Sequence, residues 1–420
     1  MATAAAVRSA PIDGAMYQPP TRQRVDSIDL LRGLVMVIMM LDHTRDFFSH
    51  DQYLYDPTDL TKTHVALFLT RWITHFCAPT FFFLAGTGAF LRRQRGATPG
   101  EMTSFLVSRG IWLIVLELTV VRIGLTFNVN YHGFTYGQTI WALGWSMIVL
   151  GLLVHLPLWV TGAFGVVMIA VHNAFDGIKV PAWSPGMPDL ALSQKLTLVL
   201  HQPGSLSVGG ASGTVFMTFY PLVPWIGVMA GGYAFGQLYT MDAPLRRRQL
   251  VRLGGALVML FVLLRASNLY GDASKWTVQS SGAFTVLSFV NVTKYPPSLL
   301  YLCMTLGPAI LFLAVAERAR RGRIGAALVT LGRVPMLFYL LQWFAAHLMA
   351  LALFKVAGQP TDVLFIDLSK QVPADIIARS GFSLPVVYLF WIIGVLLIYP
   401  LCAWFAAVKR RRNDWWLGYL

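Results

Sequence analysis

Two sets of ionisable residues lie at opposite ends of one apolar run. The run DLLRGLVMVIMMLDH spans 29–43 and carries Asp29, Arg32, Asp42 and His43. On an α-helix, eleven residues make three turns plus about 20°, so Arg32 and His43 share one face, roughly 16 Å apart along the axis. Because ionisable groups inside an apolar span are costly, they mark a functional site by default. The alternative is that Asp29 and Arg32 are interfacial anchors, with His43 at the opposite headgroup level.

Histidine is the side chain best suited to acid–base or nucleophilic chemistry at neutral pH. In the second apolar run, His64, Arg71 and His75 are separated by seven and four residues. A continuous helix would place all three on one face. The catalytic candidates are therefore His43 first, then His75 and His64. The alternative for the second run is a satisfied polar seam between helices.

The third apolar run carries Glu117 and Arg122. They are five residues apart and do not face each other on a helix, so each is expected to pair with another helix. We expect Arg71 or His75 to be the partner of Glu117. Glu117 is a further catalytic candidate. Arg71 and Arg122 are substrate-binding candidates that could orient the reacting groups or stabilise oxyanion charge.

Two further predictions concern the ends of the first run. Asp42 points about 100° away from His43 on a helix, so Asp46 or Glu117 is the expected orienter of the imidazole, and Asp42 is a substrate-binding candidate. Arg333 enters the ninth apolar run from the same side as Arg32. The two arginines are predicted to form a cationic mouth that binds phosphates, although Arg333 could equally be a topology anchor.

The composition identifies the class of protein. Of the 420 residues, 56% are hydrophobic and 12% are charged, whereas a soluble protein carries roughly 25% charged residues. The net charge of +14 raises the alternative of nucleic-acid binding. However, the basic residues lie in short clusters between apolar runs, as topology signals do. We predict a multi-pass protein that contacts membrane lipids and binds no nucleic acid.

Ten apolar runs approach the length of about 20 residues that a membrane-spanning helix needs. They lie at 30–48, 66–91, 104–126, 138–155, 158–174, 215–239, 250–268, 297–317, 326–354 and 384–408. Basic residues concentrate in every second connecting segment, and cytoplasmic loops retain Lys and Arg. The sequence therefore predicts an all-α bundle of ten transmembrane helices with both termini in the cytoplasm.

The domain organisation is predicted to be simple. Residues 1–28 contain no apolar region typical of a signal peptide, and we expect a disordered cytoplasmic tail there. Residues 29–420 are expected to form one transmembrane domain. The oligomeric state is left open, with a homo-oligomer as one alternative.

Motifs for several other chemistries do not occur in the sequence. It contains no P-loop, GxGxxG, HExxH or serine nucleophile elbow. Cys77, Cys303 and Cys402 lie in separate apolar runs without CxxC spacing, which predicts neither a disulfide framework nor a thiolate metal site. The His and Asp residues of 50–64 are irregularly spaced for metal ligands, and we expect no metal.

The chain resembles the heparan-α-glucosaminide N-acetyltransferase catalytic-domain family, and in particular its bacterial branch. The similar stretches are RVDSIDLLRGLVMVIMMLDHTRDFF, FLTRWITHFCAPTFFFLAGTGAFL, YPLVPWIGVMAGGYAFG, TKYPPSLLYLCMTLGPA, LGRVPMLFYLLQWFAAHLMAL and WWLGYL. They occur in the same order and extend over nearly the whole chain. The family belongs to a wider set of transmembrane acyltransferases with an Arg and a His eleven apart on the first span, which Arg32 and His43 match.

This resemblance implies a membrane acyltransferase. The expected donor is acetyl-CoA, engaged from the cytoplasm, and the expected acceptor is a carbohydrate or glycolipid at the outer face of the inner cell membrane. His43 would be the base or the acyl-carrying nucleophile, and Arg32 and Arg333 would hold the donor phosphates. Two other classes stay open. One is a transporter or exporter that uses the same polar cavity, and the other is a membrane sensor or scaffold.

Overall fold

A computed structural model of the protein describes residues 25–131, 133–210, 213–319, 322–367, 371–412 and 414–419. The fold is mostly helical, at 70%, with little sheet. Residues 1–24 of the predicted N-terminal tail lie outside the described residues.

The helices of the described residues follow one another in this order: α1 (Asp26–Phe48), α2 (His50–Leu54), α3 (Val65–Thr74), α4 (Cys77–Gln94), α5 (Pro99–Leu116), α6 (Arg122–Thr126), α7 (Thr139–Leu153), α8 (Leu158–Val171), α9 (Leu192–Leu200), α10 (Leu222–Phe235), α11 (Ala243–Ser267), α12 (Gly282–Val290), α13 (Leu299–Ala316), α14 (Arg323–Arg333), α15 (Pro335–Val356), α16 (Ala374–Ala378) and α17 (Leu384–Arg411). A π-helical segment, Glu117–Val121, joins α5 to α6. Short 3-10 segments lie at His172–Phe175, Gly236–Thr240, Asp362–Leu364 and Trp415–Gly418.

Seven helical segments of the described chain are long and apolar enough to cross a membrane, and they make this a multi-pass membrane protein. They are Val65–Gln94, Pro99–Thr126, Leu158–Phe175, Ala243–Ser267, Leu299–Ala316, Pro335–Val356 and Leu384–Arg411. The other predicted spans correspond to α1, which carries several charges, and to α7 and α10, which have 15 and 14 residues. The helix lengths thus account for seven of the ten predicted spans.

A small sheet departs from the all-helical prediction. Its strands are β1 (Phe134–Gly137), β2 (Gly204–Val208) and β3 (Thr214–Thr218), in the order β1-β3-β2. β1 pairs parallel to β3, with Phe134 opposite Val215, and β2 pairs antiparallel to β3. The predicted sixth span, 215–239, is thus wrong at its start, because β3 occupies 214–218 and helix α10 begins at Leu222.

Helix α1 lies at the centre of the bundle. It packs against α3, α4, α13, α14, α15 and α17, and its Met36 and Met40 side chains are fully buried. A helix surrounded in this way can carry charged groups only if its neighbours supply partners. The polar ends of α1 are therefore where contacts with other elements matter most.

The second predicted span is interrupted at His75, and Pro79 explains the interruption. Proline has no amide hydrogen, and inside a helix its ring collides with the carbonyl group four residues earlier, which here belongs to His75. Accordingly α3 ends at Thr74 and α4 begins at Cys77. The hydroxyl of Tyr301 donates a hydrogen bond of 2.8 Å to the carbonyl oxygen of His75.

The ninth predicted span, 326–354, is also two helices. Val334 precedes Pro335, and the residue before a proline is disfavoured in helical conformation. Its φ of −131° and ψ of 48° end α14 at Arg333, and Pro335 starts α15.

The two ends of the bundle differ chemically. The basic end contains the start of α1, where Arg32 reaches the backbone of α4 and lies near Arg109 of α5. The C-terminal segment closes on the same end, since Arg109 donates to the carbonyl oxygen of Gly418. The loop-rich end contains the end of α1, helix α2 and the loop before α17, joined by a bridge between Ser49 and Phe382.

Helices α1 and α14 approach so closely that only glycine fits at their crossing. A Cβ atom on Gly332 would lie 1.8 Å from the carbonyl oxygen of Asp29, and one on Gly33 would lie 1.8 Å from that of Leu328. Small residues at helix crossings allow backbones to come together in membrane proteins. This contact places Arg333, the last residue of α14, beside the start of α1.

We expect Gly332→Ala to destabilise the protein, because the new methyl group must push α14 away from a buried backbone. Overpacking of this kind costs about 1–3 kcal/mol. The apparent Tm of the detergent-solubilised protein should fall by several degrees. Gly255→Ala is the matched control, since its Cβ would meet nothing within 4 Å, and its Tm should be unchanged or slightly raised because alanine favours helix. Equal Tm values for the two variants would contradict the close crossing.

Candidate active site

A network of charges around the buried side chain of Arg45 lies at the loop-rich end of α1, and its other members, Asp42, Asp46 and Arg71, are partly buried. The Arg71 guanidinium of α3 donates from Nη1 to both carboxylate oxygens of Asp42, at 2.8 and 3.0 Å. The Thr74 hydroxyl donates to the same carboxylate at 2.9 Å. Nη2 of Arg45 lies 2.8 Å from Asp42 and 2.7 Å from Asp46.

The network is balanced, with two aspartates and two arginines. The side chain of Arg45 is only 2% exposed, and its Nε also donates to the side-chain oxygen of Gln52 at 3.2 Å. Charges removed from water are tolerated when they are paired and hydrogen-bonded. The predicted substrate-binding residues Asp42 and Arg71 are thus brought together and bind each other.

His43 adjoins this network. Its Nδ1 lies 3.8 Å from Oδ2 of Asp46, and its ring lies 3.6 Å, between centroids, from the indole of Trp343 on α15. The His43 side chain is 12% exposed. Asp46, one of the two predicted orienters, is therefore the carboxylate beside the imidazole, while Asp42 faces Arg71.

His75 lies inside the protein at the break between α3 and α4. It is 3% exposed, and its ring lies 5.5 Å from that of Tyr301. Within the described part of the chain, Nδ1 of His75 is buried and has no hydrogen-bond partner. A buried imidazole with an open nitrogen keeps His75 as a catalytic candidate.

His64 lies apart from the other two histidines, so the predicted continuous stripe is interrupted. Its Nδ1 accepts the Leu67 amide at 3.4 Å and caps the start of α3. Its side chain is 54% exposed and lies 3.8 Å from the Asp51 carboxylate. His64, His50 and Asp51 line an open cavity of about 580 Å³ between α2 and the start of α17.

Glu117 binds backbone amides, so its predicted pairing with Arg71 or His75 is wrong. Its Oε2 accepts hydrogen bonds from the amides of Ile140 at 2.9 Å and Trp141 at 3.1 Å. These are among the first amides of α7, which have no partner within their own helix. Sequence spacing could not reveal this, because the partners of Glu117 are backbone amides of α7, and only the fold brings the start of α7 beside it. Its Oε1 is buried without a hydrogen-bond partner in the described residues.

Arg122 holds the loop that follows α6. Its Nη1 donates to the carbonyl of Asn128 at 2.6 Å, and its Nη2 donates to those of Asn130 at 2.6 Å and Phe134 at 3.1 Å. The guanidinium also lies 3.8 Å from the ring centre of Tyr131. The expectation that it pairs with a distant helix is wrong, and its substrate-binding role stays a prediction.

The basic end brings the two predicted phosphate-binding arginines together. Arg32 lies 3.5 Å from Oδ1 of Asp29, and Arg333 lies 3.7 Å from Oδ2 of the same carboxylate. Arg333 also contacts Asp26 at 3.2 Å, and Arg32 donates to the Leu84 carbonyl at 2.9 Å. The shared aspartate fixes the spacing of the two guanidinium groups.

Two arginines that the sequence analysis did not single out join this basic end. Arg109 interacts electrostatically with Arg32 and Arg92, and Arg92 lies 4.0 Å from the ring centre of Phe105. From the sequence, Arg92 and Arg109 are interpreted as topology signals, so a binding role for them is not suggested.

Four aromatic residues near the charged network were also missed. Trp343 contacts His43, and Tyr339 lies one turn earlier, 6.4 Å from Trp343 between ring centroids. Tyr295 lies near Arg71, and its ring is 5.4 Å from that of Tyr220. All four lie in stretches that resemble the family, but aromatic residues in apolar runs are usually read as interfacial belts.

The described residues contain no group of three or more His, Cys, Asp or Glu side chains that could hold a metal ion. The three cysteines are buried and unpaired. The histidines, carboxylates and arginines of the site can supply acid–base chemistry, nucleophilic attack and charge stabilisation.

The fold and the site define a multi-pass membrane protein whose central helix bears charged groups at both ends. A family model described as heparan-alpha-glucosaminide N-acetyltransferase, catalytic, matches residues 24–270, more than half of the 420-residue chain. The chain belongs to this family, as its motifs predict. A search of curated proteins found no match.

Family membership implies transferase activity, with an acyl-CoA and a carbohydrate as the kinds of partner. The matched residues reach the end of α11 and include His43, Arg71 and Glu117. Arg333 and α15, which supplies Trp343, lie beyond them. The family match therefore does not include these two residues, and it is the structure that shows their contacts with α1.

We expect the Asp42–Arg71 pair to matter far more to stability than an exposed pair. Asp42→Ala should lower the free energy of unfolding by on the order of 3 kcal/mol, because it leaves buried arginines without their partner. Arg71→Ala should have a similar cost, and the double variant should cost less than the sum. Thermal unfolding in detergent measures this.

The control is the exposed pair of Asp375 and Arg379, which are 71% and 66% exposed. Asp375→Ala should change stability by less than about 0.5 kcal/mol. If Asp42→Ala and Asp375→Ala had equal effects, the network at α1 would be as dispensable as a surface pair.

Proposed function

We propose that this protein transfers an acetyl group from cytoplasmic acetyl-CoA to a carbohydrate or glycoconjugate at the outer face of the inner cell membrane. One observation supports this most. Helix α1 carries Arg32 in an arginine cluster at the basic end and His43 beside a buried charge network at the loop-rich end. In a member of an acetyltransferase family, the end with Arg32 can bind the anionic donor. The end with His43 can carry out the transfer of the acyl group.

We further propose that ten helical segments cross the membrane, with the basic end and both termini in the cytoplasm. In this arrangement α1, α7 and α10 cross together with the seven longer segments and form one transmembrane domain behind a cytoplasmic tail. The tail is shorter than the predicted 1–28, because α1 begins at Asp26. The clustering of arginines at the end that holds Arg32, Arg92 and Arg109 supports this orientation, because cytoplasmic segments retain basic residues.

Cysteine labelling tests the orientation. In intact bacterial spheroplasts, a membrane-impermeant maleimide should label Lys62→Cys in the loop before α3, which lies at the loop-rich end, and should not label Arg95→Cys, which follows α4. Permeabilisation should make both positions reactive. The native cysteines are buried, so the protein without an introduced cysteine is the background control. Labelling of Arg95→Cys in sealed spheroplasts would reverse the proposed orientation.

Arg32 and Arg333 are proposed to bind the donor phosphates. The planar guanidinium group makes two parallel hydrogen bonds to a phosphate, which the lysine ammonium group cannot do. Arg92 and Arg109 add positive charge close to Arg32. Asp29 keeps Arg32 and Arg333 within reach of one another.

His43 is proposed to be the general base, or the nucleophile that carries the acyl group. As base, it accepts the proton of the acceptor O–H or N–H while the bond from acceptor to acyl carbon forms. The carbon–sulfur bond then breaks, and CoA leaves as a thiolate that takes up a proton. Asp46, 3.8 Å from Nδ1, favours the protonated imidazole that forms during this step.

The separation between Arg32 and His43 leaves a role for a second histidine. The two residues lie roughly 16 Å apart along α1. Either the pantetheine arm of the donor reaches between the helices to His43, or a histidine nearer the middle takes the acyl group first. His75 lies in the interior with a free Nδ1, and we keep it as the candidate for an intermediate acyl carrier. His64 lines the open cavity at the loop-rich end, where we place the acceptor's entrance. Glu117, with its open Oε1, is a candidate proton-handling group.

Acetyl-CoA binding and CoA release by the purified protein test the proposal. Arg32→Ala should weaken acetyl-CoA binding by about tenfold or more, since it removes a charge-assisted contact worth about 1.5–3 kcal/mol. His43→Ala should bind acetyl-CoA with an unchanged Kd but release CoA about 100-fold more slowly or worse, because it removes the base or nucleophile. Glucosamine serves as the trial acceptor.

The matched controls are Arg248→Ala, an exposed arginine of α11, and His155→Ala, an exposed histidine bound to Thr103. Neither should change binding or CoA release. If the folded wild-type protein bound none of several acyl-CoAs, the acyltransferase proposal would fail and the transporter alternative would lead.

A further inference from the structure

Helix α15 carries several buried polar groups without regular hydrogen-bond partners, and one of them, Trp343, lies next to His43. Within the described residues, the amide atoms of Gln342, the indole Nε1 of Trp343 and Nε2 of His347 are all buried without a hydrogen-bond partner. Trp343 is 3% exposed, and Gln342 and His347 are fully buried. Because most buried polar groups in proteins are hydrogen-bonded, three exceptions on consecutive turns of one helix need an explanation.

Trp343 is the member of this group that contacts the candidate catalytic residue. Its ring and that of His43 lie 3.6 Å apart between centroids, with an angle of 41° between planes. Phe47 of α1 packs edge-on against the other side, at 6.4 Å and 87°. The indole is therefore held in place by α1, and any acyl carbon that reacts at His43 must lie close to it.

The residues that the sequence suggested for oxyanion stabilisation are engaged elsewhere. Arg122 gives both terminal nitrogens to backbone carbonyls, and Arg71 gives its Nη1 to Asp42. Glu117 is a carboxylate, and it accepts hydrogen bonds from the start of α7. The indole N–H of Trp343 is, in contrast, a buried donor that forms no regular hydrogen bond with the described protein groups, although it lies close enough to the Tyr339 hydroxyl to interact with it.

We propose that Trp343 is a catalytic residue of the acyl transfer, in which its indole N–H donates a hydrogen bond to the acyl oxygen. This inference rests on the proposed acyltransferase function. When the acceptor attacks the thioester, the carbonyl oxygen gains negative charge, and a donor fixed beside His43 stabilises that charge before the carbon–sulfur bond breaks. Tyr339, one turn earlier and 6.4 Å away between ring centroids, borders the same place and is the second donor.

The arrangement uses the rigidity of the helix. A donor already aimed at the position of the developing charge needs no reorganisation during the reaction, and removing one such donor typically lowers kcat by about 10²–10³-fold. Trp343 also covers one face of the imidazole, so its two roles must be separated by experiment.

The test compares three changes in CoA release from acetyl-CoA with glucosamine as trial acceptor. Trp343→Phe should lower kcat by about 10²–10³-fold while KM for acetyl-CoA changes little, because the lost contact exists only in the transition state. Trp391→Phe is the control. It removes an indole N–H that also points at α1, donating to the Val37 carbonyl at 2.8 Å, and it should leave kcat nearly unchanged.

Replacement of Trp343 by 3-benzothienylalanine isolates the N–H, because sulfur takes its place while the ring keeps its shape. Its kcat should fall as in Trp343→Phe, at every pH and without displacing the pH profile. A displaced profile would mean that Trp343 acts only through His43, and full activity would mean that the N–H is unused; either result overturns the proposal. If Trp343→Phe fails to fold, the benzothienylalanine protein decides alone.

The outcomes also separate this inference from the proposed function. If the wild-type and benzothienylalanine proteins are equally active, the role of Trp343 is wrong, but the acyltransferase proposal is unaffected. Wild-type protein that releases no CoA from any acyl-CoA ends both.

Discussion

The ion pair between Asp42 and Arg71 joins α1 to α3 where both helices approach the loop-rich end. Arg45 and Asp46 extend this pair into a four-residue network. Charges buried in this way resist separation, because each partner left alone would lack solvation. The network therefore fixes the rotation of α1 about its own axis. His43, the residue after Asp42, is directed towards α15, and the opposite end of α1 is directed towards α14.

Much of this could be predicted from the sequence. The apolar runs predicted a helical membrane protein, and most helix positions follow them. The motifs predicted the family, which the match over 24–270 confirms. The eleven-residue spacing of Arg32 and His43 predicted two separated sites on α1. The joint position of Arg32 and Arg333 at one carboxylate also agrees with the predicted cationic mouth.

The rest depended on features that a hydropathy pattern cannot contain. Pro79 and Pro335 each lie within a long apolar run. The run alone does not show that one helix ends and another begins shortly before each proline. The expected partner of Glu117 was another side chain, but its observed partners are backbone amides of α7, which carry no signal in the sequence. The sheet forms from short segments brought together by tertiary contacts. Trp343 and Tyr339 looked like ordinary apolar residues because only the fold shows what faces them.

The contact between Glu117 and α7 has a consequence for how the chain is assembled. Helix α7 has 15 residues, fewer than the roughly 20 that cross a bilayer independently, and the carboxylate that satisfies its first amides is supplied by a segment made earlier. In the proposed ten-span arrangement, α7 crosses the bilayer as the second arm of a hairpin whose first arm is α5. The Glu117 carboxylate precedes α7 in the chain and is therefore available to cap those amides as they enter the apolar part of the membrane. We expect the insertion of α7 to depend on α5 for this reason.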